Sequence, residues 1–69
     1  MGPNTFKVVD NRGIDFWLVR GKIRGVQQNR DYRTDFLVEF RGDEDVEFTF
    51  DTEEEAKETL ERLIAWLDE

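Results

Sequence analysis

Between Phe36 and Phe50 the chain alternates strictly. Phe36, Val38 and Phe40, then Val46, Phe48 and Phe50, hold the even positions, while Leu37, Glu39, Arg41, Glu47, Thr49 and Asp51 hold the odd ones. A period of two is the repeat of a half-buried strand, because successive side chains leave a strand on opposite faces. Gly42-Asp43-Glu44-Asp45 interrupts the alternation with turn residues, so the segment reads as a β-hairpin whose core face carries four Phe and two Val. At Asp51-Thr52 the period changes to 3.6. Thr52 with Glu55 three residues on makes a capping box, and Glu53, Glu54 and Glu55 set negative charge at the positive end of a helix dipole. The spacing predicts a helix over about 53–68, roughly 24 Å long, with Ala56, Leu60, Leu63, Ile64 and Leu67 as its apolar stripe. Glu53 with Lys57 and Glu58 with Arg62 support it as i,i+4 pairs in the favourable order.

Upstream, Thr5 to Asp10 alternates with Phe6 and Val8 on one side and Lys7 and Val9 on the other, and Asn11-Arg12-Gly13 supplies a turn. Residues 14–28 stay rich in strand formers but contain Gly21 and Gly25. We read them as one long bent strand, the alternative being two shorter strands joined by a turn. Asn29-Arg30-Asp31-Tyr32-Arg33 is a polar loop. The expected fold is therefore α+β: a four-stranded antiparallel β-meander over about 5–51, five-stranded if residues 14–28 divide, with the C-terminal helix packed on one face. A competing architecture takes the Gly residues as corners and closes five short strands into an SH3-like or Tudor-like barrel with the helix appended. The long helix stripe favours the open sheet, which offers the wide apolar surface that such a stripe needs. The 69 residues are expected to form a single domain.

Composition excludes much chemistry. There is no Cys, His or Ser, which removes zinc fingers, iron–sulfur and His- or Cys-ligated haem sites, disulfides, thiol redox couples and acyl-transfer triads. No catalytic residue, metal or cofactor is expected. No apolar run approaches the roughly 18 residues of a membrane span, and the start Met1-Gly2-Pro3-Asn4 has no apolar signal core; the expected location is the cytoplasm. Charge is divided along the chain. Residues 1–42 carry eight basic and five acidic side chains, net +3, and residues 43–69 carry two basic and twelve acidic, net −10, so the whole stands at −7.

Four features bear on function. Asp43, Glu44 and Asp45 with Glu47 could hold a divalent cation, but Phe48 stands where an EF-hand loop needs its sixth-position Gly, so a solvated hairpin tip is the plainer reading. Phe16, Arg20, Lys22 and Arg24 would share an outer sheet face, with Leu18 beside Phe16 and with Leu37 and Arg41 on the next strand. Aromatic and basic groups so placed suit single-stranded nucleic acid, although Glu39, Glu47 and Asp51 fall on that face and would pair with the cations. Glu54, Glu58 and Glu61 make an acidic helix face that, with the hairpin tip, could imitate a row of phosphates. Trp66 flanks the helix stripe and is either buried at the sheet edge or an anchor for a partner or a second copy of the chain.

The resulting expectation is a small acidic, non-enzymatic interaction module that binds a protein with a basic surface, as an inhibitor or regulator in one form. Its contact residues would be Asp43, Glu44, Asp45, Glu54, Glu58, Glu61 and Trp66. The alternatives are single-stranded nucleic-acid binding through Phe16, Arg20, Lys22 and Arg24, and inhibition of a nucleic-acid-binding protein by phosphate mimicry. A membrane partner is not expected. A homodimer is compatible with the open sheet edges.

Overall fold

A computed structural model describes residues 4–69; the start of the chain, where an apolar signal core was sought, lies largely outside the described residues. The elements run β1 (Thr5–Val9), β2 (Asp15–Val19), a 3₁₀ turn (Arg20–Lys22), β3 (Ile23–Gln28), β4 (Asp35–Phe40), β5 (Val46–Thr49) and α1 (Glu53–Leu67). The strands form two antiparallel sheets, β1-β2 and β3-β4-β5, not one continuous meander. The difference originates at Gly21. Residues 14–28 are not one bent strand: the turn around Gly21 ends β2, and β3 leaves in a new direction to pair with β4. Its backbone switches from extended to 3₁₀ and back, since Val19 and Ile23 on either side are both extended.

The β4–β5 hairpin follows the alternation, with Phe36 opposite Phe48 and Val38 opposite Val46. Gly42 takes φ +80°, the left-handed conformation that a side chain disfavours. Phe36, Val38, Phe48 and Phe50 are buried, and Phe40 and Val46 pack against them half-buried. The ribbon β1-β2 contributes Val8 and Leu18, both fully buried, with Phe6 and Phe16 beside them. Phe16 lies edge-on to Phe48 at 5.3 Å between ring centroids and 6.4 Å from Phe40, so the inner faces of the two sheets meet through aromatic rings. Such pairs contribute about 0.5–1.5 kcal/mol beyond their buried area. In the turn of the ribbon, the Asn11 N–H donates to the Thr49 carbonyl at 2.8 Å and ties the β1–β2 turn to β5. Asp10 orders that turn from a buried position, its carboxylate accepting from the Arg12 N–H at 3.0 Å and from Arg12 Nε at 2.9 Å.

The helix begins as its sequence implies. Thr52 Oγ1 accepts from the Glu55 N–H at 3.2 Å, satisfying one of the amide donors that a helix start leaves unpaired. Its rotation differs from the predicted stripe. Ala56, Thr59, Leu63 and Trp66 are the buried positions, Leu60 and Leu67 are half-buried, and Ile64 is 46% exposed. Trp66 draws the helix round: its ring lies 5.3 Å from that of Phe6 and beneath the Arg20 guanidinium at 4.9 Å. The largest apolar side chain on the helix takes the inward place, and Ile64 at the other margin of the stripe is left outside.

Candidate functional site

Trp66 is 4% exposed and holds the helix to β1. Of the two readings of Trp66, burial is the one that agrees with this position, and its place among the expected contact residues is corrected. The expected nucleic-acid face is dispersed as well. Phe16 and Leu18 point inward, because the β1-β2 register sets Phe16 opposite Val8 and Leu18 opposite Phe6. Trp17 points outward in their place. Of the three cations, Arg20 reaches the helix end, with Nη2 3.5 Å from Glu69 Oε2. Arg24 bonds Glu39 at 2.8 Å across the β3–β4 pair. Lys22 sits at the turn between the sheets. The 3₁₀ turn breaks the alternation that would have aligned them. Gly25 makes room for the Arg24–Glu39 pair, since a Cβ there would stand 3.2 Å from Glu39 Oε1.

The acidic residues also separate into two places. The hairpin tip lies at the start of β5 and the helix begins beyond its end, so about 13 Å of strand divides Asp43, Glu44 and Asp45 from the helix carboxylates. Among the described residues no group of carboxylates gathers closely enough to hold a metal ion. No helix of the described residues is long and apolar enough to cross a membrane.

What the structure does assemble is a cleft at the fork between the two sheets. The β3–β4 ladder ends where the Arg41 N–H donates to the Lys22 carbonyl at 2.8 Å. Beyond that bond, the chain on one side turns into β2 and on the other runs into the Gly42–Asp45 turn. The space between holds about 270 Å³ and is walled by Phe16, Trp17, Val19, Phe40 and Val46, with Lys22, Asp43 and Glu44 at its margin. Phe16 continues the floor into the core through Phe48 and Phe40. Trp17 is 59% exposed, with Lys7 Nζ 5.8 Å from its ring centroid on the outer face of the ribbon. Inward Phe16 and outward Trp17 both line the cleft, an arrangement that belongs to a strand edge and not to a sheet face. Among the described residues β2 pairs only with β1, so the β2 edge at the cleft lacks a neighbouring strand.

A second depression of about 510 Å³ runs along the helix, with Leu60 and Ile64 as its floor. Glu53, Glu54, Lys57 and Glu61 stand along it on the helix, facing Gln28 and Arg33. It exists because the helix rotation leaves Ile64 out. Of the expected contact residues, Asp43 and Glu44 thus border the fork cleft and Glu54 and Glu61 border the helix groove. Asp45 and Glu58 are exposed and line neither.

Trp17, Val19, Phe40 and Val46 were not singled out by the sequence as site residues. In Phe16-Trp17-Leu18-Val19 every position is apolar, so alternation gives no sign of which residues face out. The one available signal was Lys7, which the clear alternation of β1 places outward and which pairs with Trp17 in the register. Comparison with known protein families, with characterised proteins and with solved structures finds no match to this chain.

Proposed function

We propose that the chain is a non-catalytic interaction module that binds a protein partner carrying a basic surface, with the fork cleft as the anchoring site. The observation that carries this reading is the juxtaposition in the cleft of an open aromatic and aliphatic wall with the Asp43 and Glu44 carboxylates. Apolar surface of this kind supplies affinity when covered, and carboxylates at the margin set the sign of the partner's charge. The net charge of −7 acts in the same sense over longer range, speeding encounter with a basic surface at low salt. The nucleic-acid alternative is less favoured, because Arg20 and Arg24 lie beside Glu69 and Glu39 and Phe16 is turned inward.

The test is a ¹⁵N–¹H correlation titration at low salt with short polyarginine, in parallel with single-stranded DNA. Polyarginine should shift the Trp17 indole, Val19, Glu44 and Val46 signals, and added salt should reverse the shifts. Charge reversal at Asp43 and Glu44 should abolish them, while reversal at Glu58 and Glu61 should leave the cleft response in place. Shifts produced by DNA over the 3₁₀ turn and β3, or no response of the cleft to polyarginine, would overturn the proposal.

A further inference from the structure

The edge of β2 is a hazard that most folds cover. Phe16-Trp17-Leu18-Val19 is strongly strand-forming, and an unpaired edge of this composition is a template for another strand. The obvious occupant is β2 of a second copy. Charge opposes it, since each copy already carries −7 and the pairing would bring two such chains together. The Asp43 and Glu44 carboxylates in the cleft lining favour an incoming strand of opposite sign. The acidic tip thus leaves the edge available to a cationic segment and closed to its own kind.

We propose that the β2 edge receives an extended basic segment of the partner by strand addition, one Arg or Lys side chain entering the fork cleft. The inference rests on the proposed binding of a basic protein and names how that protein is held. Main-chain hydrogen bonds to β2 give affinity independent of sequence, and alternate side chains of the added strand point to the two sides of the edge. The volume of about 270 Å³ is enough for one long side chain. Trp17 and Phe40 in the wall offer aromatic surface to its stem, and Asp43 and Glu44 in the same lining offer carboxylates to its charge. Lys22 at the margin is an exposed cation on a long stem, which leaves its ammonium in water and the cleft wall to the incoming side chain.

The probe is a capped heptapeptide alternating threonine and valine around a central arginine. Its controls are the same peptide with citrulline, the neutral isostere, at the centre, and a version N-methylated on the residues that would donate to β2. The arginine peptide should shift the amide signals of Phe16 to Val19 and slow their hydrogen exchange. Citrulline should weaken binding at least tenfold, as should the double variant Asp43→Asn with Glu44→Gln, whose melting temperature verifies that it folds. N-methylation should abolish binding. Equal binding of the arginine and citrulline peptides overturns the cation site, and equal binding of the methylated peptide overturns strand addition. If a helical basic peptide shifts cleft signals and the extended one does not, the mode inferred here is wrong while the proposed function stands. If neither shifts them, both fall. Concentration-dependent shifts of β2 without peptide would identify a second copy as the occupant and overturn the inference.

Discussion

Replacing Trp66 and Ile64 separately by alanine tests how the helix is seated. Trp66 is 4% exposed, touches Phe6 and lies beneath Arg20, so Trp66→Ala leaves a cavity and should cost about 3–5 kcal/mol. The lost cation–π contact adds about 0.5–1 kcal/mol. Ile64 is 46% exposed. Its half-burial is worth about 1 kcal/mol, and the better helix propensity of alanine returns a few tenths of that. A chain of 69 residues has a total stability of roughly 3–10 kcal/mol. Trp66→Ala therefore removes much or all of it, while Ile64→Ala removes little. In thermal melts followed by far-UV circular dichroism, at about 4–8 °C per kcal/mol, Ile64→Ala should lower the midpoint by under about 5 °C and Trp66→Ala by more than about 12 °C. Trp66→Leu should fall between them and keeps the comparison measurable if the alanine variant is unfolded. A loss at Ile64 equal to or larger than that at Trp66 would mean that the helix packs on the stripe Leu60-Leu63-Ile64-Leu67, and would refute the rotation.

Three further outcomes are expected. Thr52→Ala removes the acceptor for the Glu55 N–H and should cost about 1 kcal/mol, read as a fall of several degrees in the melting midpoint. Gly42→Ala, at φ +80°, should cost about 1–2 kcal/mol, whereas Gly21→Ala, with open space around it and no positive φ, should be close to neutral; equal effects in chemical denaturation would contradict the turn geometry. Arg24→Ala should cost under about 1 kcal/mol despite its 2.8 Å bond to Glu39, because the arginine side chain is 61% exposed, and adding salt to the wild-type chain should reproduce most of that loss.

The β4–β5 hairpin and the helix start were legible because each declares itself locally. Alternation is unambiguous where charged residues separate the Phe and Val positions, and a capping threonine needs only its own neighbours. The division of residues 14–28 was not legible. Gly21 is compatible with a bulge, a bend or a turn, and the choice is made by where β3 finds a partner, which is a tertiary matter. The Phe16-to-Val19 run failed for a related reason: with all four residues apolar, only the pairing with β1 decides which face is inside. The helix stripe was read too far toward Ile64 because a wheel treats margin residues alike, while packing favours the one that buries more surface. As for the candidate site, both acidic residues of the fork cleft were anticipated, and Phe16 and Lys22 were singled out for a different face, but Trp17, Val19, Phe40 and Val46 were not. A cleft formed by two strands diverging from a shared turn has no signature in either strand alone.

Among the described residues every strand pair joins neighbours along the chain, across the short connections at residues 10–14, 29–34 and 41–45. Hairpins of this kind close within microseconds. The two sheets meet through Phe16 with Phe40 and Phe48, and wider separations in sequence are closed by the helix, where Trp66 meets Phe6 and Glu69 meets Arg20. The hairpins can therefore form before the chain is complete, and the barrier to folding should be crossed with the last helical turn still undocked. In stopped-flow experiments, truncation of Trp66 should accelerate unfolding and leave the folding rate nearly unchanged, while truncation of Phe48 should slow folding. The resistance of the folded chain to opening would then lie where α1 meets β1, so a change at Phe6 or Trp66 alters how long the molecule stays folded more than how fast it folds.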